Sequence, residues 1–256
     1  IYFDDFESIR GVYGLPTGMT EVNIPKGILF HDVNRINDDF RTYVNENKID
    51  LVFAHYRDAF LHFFPDLRDR FRWLPNHAYK PVFHDYRLER TIDYLMMGKI
   101  NKLYPLREKI YHKMRKMKGF VSHKHPGYRW FTPEESKKLF VDENYAREIS
   151  RAKMFLTCGS KYNFAVSKYF EVPACKTLLL AAGFSELRDL GFIDKKTFVE
   201  IDEHNFLVKA KYYLKHEDER KEIRKNGYNL IRARHTTDIR VREFVNEIRN
   251  FLGKPD

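Results

Sequence analysis

The chain has 256 residues, 43% of them hydrophobic and 32% charged, enough for one large domain or two small ones with real cores. An aromatic share of 16%, with 22 Phe and 16 Tyr, excludes a disordered chain, and a count of two cysteines excludes a disulfide framework. The excess of 46 Lys and Arg over 36 Asp and Glu gives a net charge of +10, which favours anionic partners such as a nucleotide, a phosphorylated polymer, nucleic acid or an anionic lipid surface.

The opening stretch, rich in Gly and Pro, reads as irregular. "GILFHD" (Gly27 to Asp32) then predicts a buried strand. "NDDFRTYVNENK" follows as a helix with Phe40, Tyr43 and Val44 on one side and Asn37 or Asp38 as its cap. "IDLVFAH" (Ile49 to His55) is a second strand, "RDAFLHFFPDLRDR" holds a short helix, and "FRWLPN" is a third strand-like run. This β-α-β-α-β order is the rhythm of a parallel sheet covered by helices. Pro75 to Glu89 reads as a connection, after which the rhythm restarts.

"TIDYLMMG" is a strand closed by Gly98, and Pro105 suits the first position of a basic helix whose Leu106, Ile110, Met114 and Met117 recur at helical spacing. Next come the strand "GFVSH", the helix "NYAREISRAK", the strand "MFLTCGS", the helix of "VSKYFEVPAC", the strand "TLLLAAG" and a last short strand in "FVEID". Three helical stretches close the chain: "HNFLVKAKYYLK", "DERKEIRKNGYNLIRAR" and "DIRVREFVNEIRNFL". The fold class expected is α/β, with two Rossmann-like units in tandem. The apolar runs are strand-length, far short of the ~20 residues of a membrane span. No charged-then-apolar leader opens the chain, so a cytoplasmic, reducing setting is expected.

Open parallel sheets bind ligands outside the carboxyl ends of their strands. There the sequence places His31-Asp32, His55, Gly98-Lys99, His123 to His125, Gly159-Ser160-Lys161 and Gly183 to Glu186. Neither G-x-G-x-x-G nor a Walker loop is present, so no phosphate fingerprint identifies the ligand. The His123/His125 pair is too small a set for a metal and reads as a solvent-exposed loop, while Cys158 and Cys175 read as buried structural residues. No metal site is expected.

"SKYFEVPACKTLLLAAG" (Ser167 to Gly183) sets one carboxylate, Glu171, in an apolar stretch at the mouth of a strand. With "CGSKYNFAVSK" before it, this segment resembles the donor-binding half of the group 1 glycosyltransferases, nearest their spore-maturation-protein branch. Lys168, Phe170, Glu171, Pro173, Ala174, Cys175 and Leu178 to Leu180 carry the likeness. "LPNHAYKPVFHD" is similar to that family's linker, "IDYLMMGKINKLYPLREKI" to its first donor-domain strand-turn-helix, and the Asn-Gly-Tyr then His-Thr order to its carboxyl-terminal part.

The resemblance implies a GT-B fold, two facing Rossmann-like domains of which the amino-terminal one is short, with a carboxyl-terminal helix crossing back. The domains expected are 1–76 on the acceptor side, a linker 77–90, a donor domain 91–237 and a returning helix 238–256. It implies sugar transfer from a nucleoside-diphosphate sugar, as substrate with no cofactor, to a glycan, lipid or protein acceptor. Glu171 would accept from the donor ribose hydroxyls, a task that suits two carboxylate oxygens facing a vicinal diol. The plainer alternative is a helix-end carboxylate favoured by the macrodipole. Arg107 and Lys168, then Lys99 and Lys161, are candidates for the diphosphate, with Gly98, Ser160 and Phe164 supplying close backbone. The family often carries a glutamate where this chain has Asn163, and glycine where it has Lys176. His55, His31 and Asp32 are the acceptor-side candidates. Two other functions stay open: a non-catalytic nucleotide-sugar-binding protein, and, from charge alone, a nucleic-acid-binding protein, which is not expected. Peripheral contact with an anionic membrane also stays open.

Overall fold

The computed structural model describes residues 1–6, 16, 18–31, 33 and 38–253, with Asp38 described by its backbone only. Asn37 and the Asp38 side chain, the expected helix cap, therefore lie outside the described residues. The chain divides into two compact units, Ile1–Pro75 with Arg240–Asp256, and Asn76–Ile239.

The first unit holds one parallel sheet in the order β1 (Tyr2–Asp5), β2 (Lys26–Phe30), β3 (Leu51–Ala54), β4 (Phe71–Trp73). Every residue of β3 is buried, which is why it reads as an unbroken apolar run. Helix α1 (Asp38–Glu46) seats Phe40 on Phe30 at a centroid distance of 3.9 Å, and Phe6 and Phe64 pack edge-on around them. Helix α2 (Arg57–Phe63) stops before Pro65, and a 3-10 turn (Pro65–Leu67) follows. The abundant phenylalanines are thus the core of this small sheet.

Strand β1 corrects the expectation of an irregular opening. It is a half-buried edge strand, and Asp4 and Asp5 end its apolar pattern after Tyr2 and Phe3, so no alternation marks it.

Helix α10 (Thr237–Phe251) belongs to this unit from Arg240 onward, with Phe244 at 4.8 Å from both Phe3 and Phe53. The many apolar residues of this stretch, Ile239, Val241, Phe244, Val245, Ile248, Phe251 and Leu252, predict one broad buried face. Instead Val241, Val245, Phe251 and Leu252 are exposed, and Ile239, Phe244 and Ile248 are half-buried. Val241 and Val245 are four apart, so they share one stripe on the side away from Phe3.

In the second unit the connecting segment is stitched down by Arg90, whose guanidinium donates to the Ala152 carbonyl (2.6 Å), the Lys176 carbonyl (2.7 Å) and the Thr177 hydroxyl (2.8 Å). The elements that follow are β5 (Ile92–Met97), α3 (Pro105–Met114), β6 (Phe120–His123), α4 (Pro133–Ser136), α5 (Asp142–Ser150), β7 (Ala152–Thr157) and α6 (Lys168–Ala174). They continue with β8 (Leu178–Ala181), α7 (Ser185–Asp189), β9 (Val199–Glu200), α8 (Phe206–Lys215) and α9 (Glu217–Arg234). The sheet is parallel in the order β6-β5-β7-β8-β9. Its core gathers Tyr94 and Met96, Ile110 and Met114, Leu178 and Leu180, and Ile223 around Met154 and Leu156.

Gly227, in the Asn-Gly-Tyr stretch of α9, marks a close approach. A Cβ there would meet the Thr197 carbonyl oxygen at 2.4 Å and Pro173 Cβ at 3.4 Å. Gly227→Ala should therefore destabilise the fold by about 1–3 kcal/mol, as overpacking does, outweighing the ~1 kcal/mol that alanine adds in a helix. Denaturant unfolding of the two proteins checks this. No helix among the described residues is long and apolar enough to cross a membrane.

Candidate functional site

The order β6-β5-β7 means that the chain leaves β5 toward one side and later resumes on the other. Such a reversal opens a crevice at the carboxyl ends of the two central strands, the usual ligand position in these sheets. Gly98 and Lys99 follow β5, and Cys158 to Ser160 follow β7.

Arg107 spans that crevice. Only 2% exposed, it donates to the Lys99 carbonyl (2.8 Å) and the Cys158 carbonyl (3.2 Å), and its guanidinium lies 3.9 Å from the centre of the Tyr104 ring. The structure therefore gives Arg107 a clamping role between the two lips, in addition to placing its charge there. Gly98 sits against it with φ +123; a Cβ would fall 2.9 Å from Lys168 Cε and 3.0 Å from Arg107 Nη1. Only glycine fits that backbone beside two cationic side chains.

Helix α6 carries Lys168 and Glu171 in its first turn. Tyr145, from α5, donates its hydroxyl to Glu171 Oε2 at 3.2 Å. Burial pushes the Glu171 carboxyl upward, while Lys168 and the Tyr145 hydrogen bond pull it back. Burial likewise lowers Lys168, Glu171 opposes this, and Arg107 adds to it. Burial, then the Glu171 charge, drives the Tyr145 hydroxyl well above its ordinary range.

His125, set aside above as loop, joins this cluster. Lys124 and Tyr128 of its segment are exposed, but His125 is half-buried. Gly127 N–H donates to its Nδ1 at 3.0 Å, so in the neutral ring Nε2 carries the hydrogen. Burial, then the charges of Lys168, Lys99 and Arg107, lower its pKa and hold that neutral form. Lys99 Nζ lies 4.2 Å from the Tyr128 ring centre, and Tyr128 lies 4.7 Å from the His125 ring. His123 is elsewhere, bonded to the buried Glu148 at 2.7 Å and packed on Phe140. The solvent-exposed reading of both histidines is thus corrected: a strand end and a helix claim one, the crevice the other.

The remaining donor-side candidates have mostly backbone duties. Ser160 Oγ accepts from Tyr162 N–H at 3.1 Å, and Gly159 N–H donates to Tyr169 Oη at 2.9 Å. Asn163 is exposed at φ +58, a left-handed conformation that asparagine tolerates better than glutamate. Lys161 is exposed, 5.0 Å from the Tyr162 ring. Phe164 is buried. Lys176 takes φ +54 just past α6, where the family prefers glycine, and its Nζ pairs with Asp85 at 3.1 Å. Both cysteines are buried, and burial raises both thiols.

In the first unit, His31 and His55 follow β2 and β3 and are hydrogen-bonded to each other at 2.7 Å, with Asp5 at 2.6 Å from His31. Asp5 was missed with its strand. Asp32 lies outside the described residues. Among the described residues no three His, Cys, Asp or Glu side chains are grouped so as to hold a metal ion. A cavity of about 280 Å³ lies beside the start of α3, but it shares no residue with the cationic cluster, and its one cation, Lys109, is outnumbered by Glu200, Asp202 and Glu203, which disfavours a phosphate there.

Among curated proteins none matches the chain by sequence. Solved structures do. Sucrose-phosphate synthase (tll1590) from Thermosynechococcus elongatus superposes with a TM-score of 0.67 at 14% identity, over 91% of this chain and 69% of that one. A glycosyltransferase from Rickettsia africae ESF-5 gives 0.60 at 10% identity, over 89% and 71%. Anabaena Alr3699/HepE, solved in complex with UDP and glucose, gives 0.62 at 8% identity, over 88% and 72%. These likenesses show the fold, two Rossmann-like parallel sheets of the GT-B class. Residues 105–246, more than half of the 256, match the family described as glycosyl transferase-like, and the chain belongs to that family.

Proposed function

We propose that this protein transfers a sugar from a nucleoside-diphosphate sugar to a hydroxyl acceptor, with the donor held at the β5/β7 crevice. The observation that carries the reading is the juxtaposition of one carboxylate, Glu171, with Lys168 beside the Cβ-free Gly98 at that crevice. A ribose diol needs acceptors, and a diphosphate needs cations and N–H donors close to backbone. Glu171 supplies the first, kept in place by Tyr145. Lys168, Lys99 and the Nε2–H of His125 supply the second, with Arg107 adding fixed positive charge behind them. The UDP complex of the Anabaena neighbour makes uridine diphosphate the first ligand to try.

During transfer the bond from the anomeric carbon to the diphosphate oxygen breaks, and its electron pair stays on the diphosphate. The acceptor oxygen bonds to that carbon, and its proton passes to the departing diphosphate or to solvent. Stabilising the leaving charge is the largest demand, and preorganised cations in a partly desolvated crevice meet it. Lysines and a histidine N–H take the place that a divalent ion fills in metal-dependent transferases. Uridine diphosphate should therefore bind with equal affinity in EDTA and in excess manganese. A loss of binding in EDTA that manganese or magnesium restores would overturn the metal-free part of this reading. Calorimetric titration of uridine diphosphate, with release of the diphosphate from UDP-glucose as the turnover assay, tests the reading as a whole.

A further inference from the structure

The sequence reads α3 as a basic helix, and of its cations Arg107 belongs to the crevice described above. The rest gather elsewhere on the second unit. Between residues 108 and 118 and across 206–215 the chain sets eight Lys and Arg against one acid, Glu108, within a net charge of +10. Soluble surfaces intersperse both signs, and these two stretches do not.

Helices α3 and α8 look out the same way. Tyr94 and Met96, Met154 and Leu156, and Leu178 and Leu180 are two apart along their strands, so they line one face of the sheet. Ile110 and Met114 of α3 and Phe206, Ala210 and Tyr213 of α8 pack into that same core. Lys109 pairs with Glu203, just before α8, which ties the two helices side by side. Their outer surfaces therefore adjoin.

Lys113, Arg115, Lys116 and Lys118, of α3 and the turn after it, and Lys211 and Lys215 of α8 are exposed. Among the described residues none of the six forms an ion pair or a side-chain hydrogen bond. Nearby carboxylates are already engaged: Glu203 by Lys109, Glu219 by the Tyr212 hydroxyl (2.8 Å) and Glu217 by Lys221 (2.8 Å). Val208 and Tyr212, four apart and so on one stripe of α8, stand out at 69% and 42% exposure.

We propose that the outer face of α3 and α8 docks on an anionic lipid bilayer, its cations meeting headgroup phosphates while Val208 and the Tyr212 ring enter the interface. This docking does not depend on what the crevice binds. A basic cluster of this size on helices is what an anionic leaflet attracts. Composition favours a bilayer over nucleic acid. Five of the six cations are lysines, point charges without the planar fork that grips phosphates and reads base edges. An exposed valine gains nothing on a phosphate backbone, whereas in a headgroup layer its apolar area leaves water. His216 already stacks on the Tyr212 ring at 3.7 Å, the contact a base would otherwise make.

Co-sedimentation of the full chain with vesicles tests this, using phosphatidylcholine alone and phosphatidylcholine mixed roughly two to one with phosphatidylglycerol. Binding is expected to the mixed vesicles only, and should weaken as salt rises. A basic residue near an anionic leaflet is worth about fivefold in affinity, so Lys211→Gln with Lys215→Gln should weaken binding about 25-fold. Val208→Ser should weaken it several-fold without changing the salt dependence. All three positions are exposed, so the variants should fold as the wild type does and bind uridine diphosphate equally, which melting curves and titration check. No binding to the mixed vesicles at low salt, or full binding by the lysine double variant, would overturn the docking face. Full binding by Val208→Ser would overturn the apolar contact. Tighter capture of a single-stranded oligonucleotide than of the mixed vesicles, lost in the lysine variant, would make this a nucleic-acid surface instead. Failure of uridine diphosphate to bind the wild type would count against the transferase reading alone.

Discussion

Glu171→Gln should lower nucleoside-diphosphate affinity roughly ten- to a hundred-fold and leave the melting temperature unchanged or raised. The amide keeps the size and one acceptor oxygen but loses the charge-assisted bonding, worth ~1.5–3 kcal/mol, that a carboxylate offers a ribose diol. The stability half follows from the direction of the Glu171 shift. Burial raises its folded pKa above the unfolded value, so the fold favours the protonated acid. Stability from this group is then fully present below the ordinary carboxylate range and is lost as pH rises through the raised value. Above that window the wild type carries the cost of a half-buried charge and the glutamine variant does not. Titration of uridine diphosphate with melting curves at pH 4.5 and 7.5 reads both effects. Equal affinities with a lowered melting temperature would make Glu171 a helix-end residue only.

Arg107→Met should act in the opposite manner, by destabilising the second unit about 2–5 kcal/mol. Two carbonyls on neighbouring strand ends lose charge-assisted donors in a buried position, and each unsatisfied group costs ~1–3 kcal/mol. Lysine should not rescue it, because one ammonium cannot reproduce the fork that reaches both Lys99 and Cys158 while lying on Tyr104. Denaturant unfolding of Arg107→Met and Arg107→Lys checks this. A variant as stable as wild type that merely fails to bind the diphosphate would show Arg107 to be a ligand contact rather than the clamp across the crevice.

The parallel sheets were legible because β3 and β8 are buried throughout and read as unbroken apolar runs, and β7 carries the buried apolar run Met154 to Leu156. β1 was not, because an edge strand with two acidic residues carries no such signal, and Asp5 went unseen with it. Glu171 stood out as a lone carboxylate in an apolar segment, and Lys168 came with it. His125 did not, because its role depends on Gly127 fixing its tautomer and on cations from two other segments. Arg107 was found as a cation near the site, but no sequence pattern shows which carbonyls a switch point brings together. Asn163 shows the same limit: its departure from the family's glutamate coincides with a left-handed turn, which only backbone angles reveal.

The central claim, that the β5/β7 crevice holds a nucleoside-diphosphate sugar, is tested most directly by thermal shift of the full chain against UDP, GDP, ADP and UDP-glucose. At a hundred times its dissociation constant a native-state ligand adds about 2.7 kcal/mol, or roughly 5–10 °C for a chain of this size. The account predicts such a rise with at least one of the four, and its reduction to about half or less in Glu171→Gln and Lys168→Met. No rise with any of them, or a rise that both variants retain in full, would contradict it.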